Sequence, residues 1–166
     1  MHFQIFDDGR FRYFPLEEID APFVAELEKE CFSCPTSESG LLAMIKSKDA
    51  LNFIGYIGRK RCGYITSYVS CGNADILSFA VEIAFRSHGV GTLLLKSFIA
   101  ECIKAGFESV TLEVRESNKK ARHIYEKLGF EEVGSRRGYY TSPKENAMLY
   151  TLNLLTLDRE KISLEN

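Results

Sequence analysis

Apolar positions along the chain fall into two rhythms, one repeating at every second residue and one at every third or fourth, separated by polar stretches that carry glycine. In "FQIFDDGRFRYFPL" (3–16) Asp8-Gly9 stands between two β-prone runs, the signature of a hairpin. "PLEEIDAPFVAELEKECF" (15–32) places Ile19, Phe23, Leu27 and Cys31 four residues apart and predicts a helix. "SESGLLAMIKS" (37–47) predicts a second, short helix with Ser37 as its cap. "ALNFIGYIGRKRCGYITSYVS" (50–70) reads as two strands around a turn at Gly58–Lys60, and "ADILSFAVEI" (74–83), apolar at both parities, as a central strand.

The second half alternates more regularly. In "TLLLKSFIAECIKAG" (92–106) Leu94, Phe98, Cys102 and Ala105 mark one helical face, with Gly106 as its stop. "FESVTLEV" (107–114) is a strand, "NKKARHIYEKLG" (118–129) a helix ended by Gly129, and "FEEVGSRRGYY" (130–140) and "NAMLYTLNL" (146–154) are two further strands. This order predicts an α/β (α+β) fold with a mixed, mostly antiparallel sheet flanked by helices. One domain is expected over 1–166, with 1–10 as an N-terminal extension or hairpin and 157–166 as a tail that lies at the edge or frays.

Bulk properties then narrow the partners. A chain of 166 residues, 45% hydrophobic, supports a real core. A formal charge of −2, with no basic stripe interleaved with aromatics, gives no reason to expect nucleic acid. No apolar run approaches the roughly 20 residues a membrane helix needs, and the start "MHFQIFDDGRF" has no signal-peptide pattern. A cytoplasmic protein is expected, with Cys31, Cys34, Cys62, Cys71 and Cys102 as reduced thiols filling small apolar spaces. Cys31 and Cys34 form a single C-x-x-C, without the second pair or spaced histidines of a zinc site, so no metal is expected.

The segment "RSHGVG" (86–91) is where chemistry enters. It joins a central strand to a helix, and a helix start offers free N–H groups and partial positive charge to an anion. Glycine lets a phosphate approach the backbone, and Arg86 adds a charge-assisted contact. The continuation "GTLLL" lacks the G-K-[ST] of a P-loop, and Leu94 stands where a dinucleotide fingerprint has its third glycine. The plain alternative is an ordinary glycine-rich connection.

R-x-x-G-x-G after a central strand resembles the acetyl-CoA loop of the GNAT superfamily of N-acetyltransferases. The likeness runs from residue 79 to about 140: "AV" before the loop, then "LEVR", S-N, "IYEKLGF" and "RRGYY". There it is similar to the bacterial ribosomal-protein-alanine N-acetyltransferase (RimI) branch. The resemblance implies a GNAT fold whose strands splay at the acetyl-CoA site, often at a bulge. It implies that the backbones of Phe79, Ala80 and Val81 hold the pantetheine arm. It assigns the phosphates to Ser87, His88, Gly89, Val90, Gly91 and Thr92, flanked by Arg86. Asn118 resembles the family's CoA-contacting asparagine, although "ESNKKA" suits a helix cap equally well.

Acetyl transfer to an amine needs a base, because an α-amino group has a pKa of roughly 8. It also needs donors for an oxyanion and a proton for the departing thiolate. Alternation in "SVTLEVRE" puts Glu113 opposite Val110, Leu112 and Val114. That face is either plain solvent or covered, and covering would desolvate the carboxylate and make it a stronger base. The resemblance makes Glu113 the general base and Tyr125 the general acid. Tyr125 shares a helical face with Asn118, its ring otherwise serving as a core aromatic. His88 and His123 are not expected to be catalytic.

Arg136, Tyr139 and Tyr140 are either solvated loop residues or, as the resemblance implies, border the acceptor site together with the link between the first two helices. The branch usually shows Pro-Trp-Ser in that link, where this chain has Pro35-Thr36-Ser37. The resemblance implies a protein N-terminus as acceptor, with a small-subunit ribosomal protein as the reference case. The alternatives are a small amine or a lysine side chain, or a CoA-binding module without turnover.

Overall fold

The computed structural model describes residues 10–162. The hairpin expected around Asp8-Gly9 lies outside the described residues. Its second strand is present as β1 (Phe11–Pro15). A short 3-10 turn (Glu18–Asp20) then leads into α1 (Ala21–Cys31), with Pro22 at its first turn, where a missing N–H costs nothing. The buried face also differs from the expected one. Val24, Leu27 and Glu28 point inward, while Ile19, placed in the 3-10 turn, is exposed. In α2 (Glu38–Lys46) Ser37 is the cap, accepting from the Gly40 N–H at 3.1 Å.

Strands β2 (Phe53–Ile57) and β3 (Lys60–Ser70) turn at Gly58, and β4 (Asn73–Val81) lies at the centre of the sheet. A second 3-10 turn (Ile83–Phe85) precedes α3 (Val90–Lys104), which is followed by β5 (Ser109–Arg115), α4 (Lys119–Leu128), β6 (Glu131–Thr141) and β7 (Lys144–Asn153). Among the described residues the strands form one sheet in the order β1-β2-β3-β4-β5-β7-β6. Only β4 and β5 run parallel, so the mixed, mostly antiparallel sheet is as expected. No helix among the described residues is long and apolar enough to cross a membrane.

The two faces of the sheet are covered unequally. The larger core sets Leu94, Leu95, Phe98 and Cys102 of α3 and Leu128 of α4 against Val110, Leu112 and Val114 of β5. The smaller one sets Val24 and Leu27 of α1 and Leu41 of α2 against Ile54, Tyr64 and Ala80. Ala105, expected on the buried stripe of α3, is exposed because the helix has already ended there. The tail is less loose than expected as far as it is described: residues 159–162 form a 3-10 turn, and Ile162 is buried in the larger core. Cys62 and Cys102 fill apolar space, and burial pushes both thiols up to about 12. Cys34 and Cys71 are exposed and do not fill the core.

Phe98 is fully buried, edge-on to Phe53 at 6.3 Å, and joins α3 to the sheet. Phe98→Ala should cost about 3–5 kcal/mol, read as a lowered urea midpoint with an unchanged slope. A loss under about 1 kcal/mol would show that this core tolerates a void.

Candidate active site

The site begins with one extra residue. In the β3–β4 ladder Thr66 pairs with Ser78 but Ser67 pairs with Ile76, so Leu77 has no opposite number. A bulge of this kind bends and twists its strand. The parallel pairing of β4 with β5 runs from Asn73↔Ser109 to Ile76↔Leu112 and ends there, next to the bulge. Both strands continue, β4 to Val81 and β5 to Arg115. From Phe79 to Val81 the strand is held by β3 through Ile65, Tyr64 and Gly63, and its other edge faces open space. Leu77, expected inside a doubly covered strand, is accordingly half exposed.

That space is a cleft of about 510 Å³. One wall is Phe79, Ala80 and Val81, and another is the loop to α3, through Arg86, Ser87, Gly89, Val90, Gly91 and Thr92. Asn118 and Tyr125 line it from α4. The structure thus gathers most of the residues expected at a cofactor site into one place. His88 is the exception in its loop: its exposed ring turns back, Nδ1 lying 2.7 Å from the Arg86 carbonyl. Gly89 caps α3 in a left-handed conformation (φ +76°), which a residue with a Cβ adopts only at a cost. Gly91 lets the helix approach the sheet, since a Cβ there would sit 3.3 Å from the Phe79 ring.

Two groups of lining residues are not among those expected from the sequence. Glu30, Cys31 and Phe32, at the end of α1, form part of the cleft wall. Arg86 spans the gap to them, donating from Nε to the Val81 carbonyl at 2.8 Å and from Nη2 to Cys31 Sγ at 3.1 Å. Burial nevertheless raises the Cys31 thiol above its usual range, against the opposing pull of Arg86. Lys120, Ala121 and Ile124 contribute from α4. The last turn of α1, Glu28-Lys29-Glu30-Cys31, is mostly charged and gave no local signal for the first group, and its partner across the fold was not readable from sequence.

Asn118 caps α4, its side chain accepting from the Ala121 N–H at 3.2 Å, and it also lines the cleft. Tyr125 is 6% exposed and packs against Phe130 and Tyr150. Burial, and secondarily Tyr140, raises its phenol well above the usual value, so it is held protonated at neutral pH.

Glu113 lies on the opposite face of β5 and does not line the cleft. Its side chain is a quarter exposed, less covered than expected, because the pairing with β4 stops one residue earlier. Its Oε1 pairs with Arg136 Nε at 2.9 Å, which brings together two residues expected at the site. Arg136 also lies over the exposed Tyr139 ring at 5.7 Å, and Tyr139 meets Tyr140 edge-on at 5.2 Å. Tyr140 is raised by burial first and by Glu113 next.

Arg115, two residues beyond Glu113 on the same face, is a linker that sequence reasoning missed. It donates to Ser33 Oγ at 3.0 Å in the α1–α2 link and to the Ser142 and Pro143 carbonyls in the β6–β7 turn. Its guanidinium stacks on Tyr140 at 4.1 Å. Among the described residues no cluster of side chains is suited to hold a metal ion.

A family model described as the acetyltransferase (GNAT) family matches residues 21–130. The chain is 33% identical over 139 residues to the [ribosomal protein bS18]-alanine N-acetyltransferase of Escherichia coli K12, covering 82% of this chain and 93% of the relative. It is 31% identical over 144 residues to an uncharacterised N-acetyltransferase of Methanocaldococcus jannaschii, covering 83% and 88%. The crystal structure of the E. coli ribosomal-protein-S18-alanine N-acetyltransferase superposes with a TM-score of 0.81 at 31% identity, over 87% of this chain and 94% of that one. Ard1 of Thermoplasma volcanium, at 24% identity and a TM-score of 0.79, shares the fold.

The side chain of Glu145 anchors the β7 end of the turn. Hydrogen bonds from Ser117, then Arg115, hold its carboxyl below the usual carboxylate range. A depressed folded-state value means the contribution is complete above the unfolded value of about 4.3. It is lost as pH falls through the lower, folded value. Wild type and Glu145→Gln should therefore differ in melting temperature at neutral pH and converge on acidification below about pH 4. A pH-independent difference would remove the ionised carboxylate from the account.

Proposed function

The chain belongs to the acetyltransferase (GNAT) family, and from that premise we propose that it moves the acetyl group of acetyl-CoA directly to the N-terminal α-amine of a protein. The substrate is of the ribosomal-protein-alanine type, the reaction takes place in the cytoplasm, and the chain works as a single acetyltransferase domain. The observation that carries the reading is the parting of β4 from β5, which opens one cleft onto the unpaired strand edge at Phe79–Val81, the glycine loop, Asn118 and Tyr125. The acceptor class rests on the relatives whose names state it.

Each residue then has a task. Backbone N–H groups at the start of α3, with Arg86 beside them, receive the phosphates of the cofactor. The free edge of Phe79–Val81 pairs with the amide-bearing pantetheine arm as a strand would, and an N–H there faces the thioester oxygen as negative charge develops on it. Glu113 accepts the proton of the incoming ammonium, whose positive charge takes the place of Arg136 at the carboxylate. Tyr125 returns a proton to the departing sulfur. A buried phenol gives up its proton reluctantly, but a thiolate released in the same dry cleft is desolvated too, and its own proton affinity rises with that of its donor. Arg136, Tyr139 and Tyr140, with the α1–α2 link that Arg115 ties to the β6–β7 turn, border the acceptor.

Intact-mass spectrometry with acetyl-CoA tests this against three acceptors: an Ala-starting peptide, the same peptide blocked at its N-terminus but carrying a free lysine, and small amines. One acetyl group is expected on the free N-terminus. Glu113→Gln should slow transfer by about 10²–10⁴-fold, the usual worth of a positioned base, with CoA affinity unchanged. Label confined to lysine or small amines would change the acceptor class, and absence of transfer with CoA bound would overturn turnover altogether.

Tyr125→Phe separates the acid from the base. Thiol release should fall by about 10²-fold while the melting temperature hardly moves, since the ring and its contacts remain. Full activity in this variant would assign the proton to water.

A further inference from the structure

Glu28 is a carboxyl group buried to 2% exposure, and nothing in the reaction outlined above uses it. It sits on α1, one turn before the residues that line the cleft. Its Oε1 accepts from Tyr64 Oη at 2.6 Å and from Ser78 Oγ at 2.5 Å, and these two hydroxyls lie 2.7 Å apart. Its Oε2 accepts from the Thr36 backbone N–H at 3.0 Å. A polar group so deep in the fold is tolerated only with its bonds made, and removing it strands every partner at once.

The partners are what make the position informative. Ser78 follows the bulged Leu77 and precedes Phe79, so it marks the point at which β4 leaves β5. Thr36 lies in the α1–α2 link, three residues from the Ser33 that Arg115 holds. Tyr64 pairs with Ala80 across the ladder and is itself fully buried. One carboxyl therefore joins the three elements that meet where acceptor and thioester would meet. The phosphate end of the cleft has anchors outside this hydrogen-bond network: Arg86 bonds to Val81 and to Cys31, and Gly91 closely approaches Phe79.

We infer that Glu28 is a positioning residue for acetyl transfer: it fixes the acceptor-side link against the opened strand, and so sets the distance and angle at which the amine meets the thioester. The inference rests on the proposed reaction. A misplacement of about 1 Å at a reacting pair costs on the order of 10²-fold in rate.

The test compares wild type, Glu28→Ala, Glu28→Gln and Ser78→Ala with acetyl-CoA and the Ala-starting peptide, together with CoA affinity by calorimetry. Glu28→Ala should lower kcat/KM for the peptide by about 10–100-fold with CoA affinity held within about threefold. Glu28→Gln, whose amide still accepts from Thr36 and donates to the hydroxyls, should recover most of the loss. Ser78→Ala, which creates little void, should give a smaller loss of the same kind and carries the test if Glu28→Ala does not fold. Peptide kinetics unchanged in a folded variant, or CoA affinity falling in parallel, would overturn the inference. Were wild type inert toward every amine, the proposed reaction would fail while the positioning claim stays decidable by amide hydrogen exchange in Ser78→Ala, with Glu28→Gln expected to stay near wild type. Faster exchange at both Thr36 and 79–81 supports the coupling, and a change at one segment alone defeats it.

Discussion

The extra residue in β4 is the constraint on which the site depends. A central strand has to place its N–H and C=O groups somewhere, and a strand of a continuous sheet gives them to both neighbours. With Leu77 unpaired, β4 keeps β3 to its end at Val81 but loses β5 after Ile76. The result is a strand edge in the middle of a sheet. In most proteins such an edge is a liability that is covered or blunted. Here a cleft lies along it, and the proposed cofactor has the amides to pair with it.

The opening is tolerable because the rest of the fold does not depend on it. The larger core lies between α3, α4 and the paired parts of β3, β4, β5 and β7, and it is made almost wholly of side chains without polar atoms. The other face is smaller and is laced with polar ties: Glu28 to Tyr64, Ser78 and Thr36, and Asp20 to Arg61 at 2.8 Å and Tyr56 at 3.3 Å. Apolar packing is non-directional and holds α3 against the sheet whether or not the cleft is filled. Hydrogen bonds are directional, and they occur where the position of a link or a strand end has to be specified.

What the sequence revealed follows the same division. Elements built on apolar period were legible with nearly correct limits, among them α3 from Leu94 to Cys102 and β5 from its alternation. Local chemistry was legible too: the Ser37 cap and the turn at Gly58. Much of the cleft could be named, because loop, Asn118 and Tyr125 carry a resemblance. Long-range choices were hidden. The β bulge inserts one residue without changing composition. The reach of Arg115 to residues 82 and 27 positions away has no local signature, and Glu28 in a run of charged residues looks like any solvent-facing glutamate. The offset of the α1 stripe is set by how the helix docks against Ile54, Tyr64 and Ala80, a long-range choice its own spacing does not show.

On the proposed reaction, the opened sheet also explains why acid and base come from opposite faces. Tyr125 belongs to the α4 side and packs in the same core as Val110, Leu112 and Val114, whereas Glu113 alternates to the other side with Thr111 and Arg115. In an unbroken sheet the backbone layer would keep two such groups apart for the whole length of the strands. Past Leu112, β5 has no neighbouring strand on the β4 side among the described residues. Only there can groups from opposite faces address one bound thioester, and Tyr140, influenced by Glu113 and itself acting on Tyr125, lies electrostatically between them. On the proposed reaction the amine then comes in from the Glu113 face and the sulfur leaves toward the α4 face. Proton removal and proton return are thus separated by the carbonyl being attacked. That separation suits a direct transfer: the base is kept from the departing thiolate and the acid from the incoming amine, with no side chain needing to change roles between the two steps.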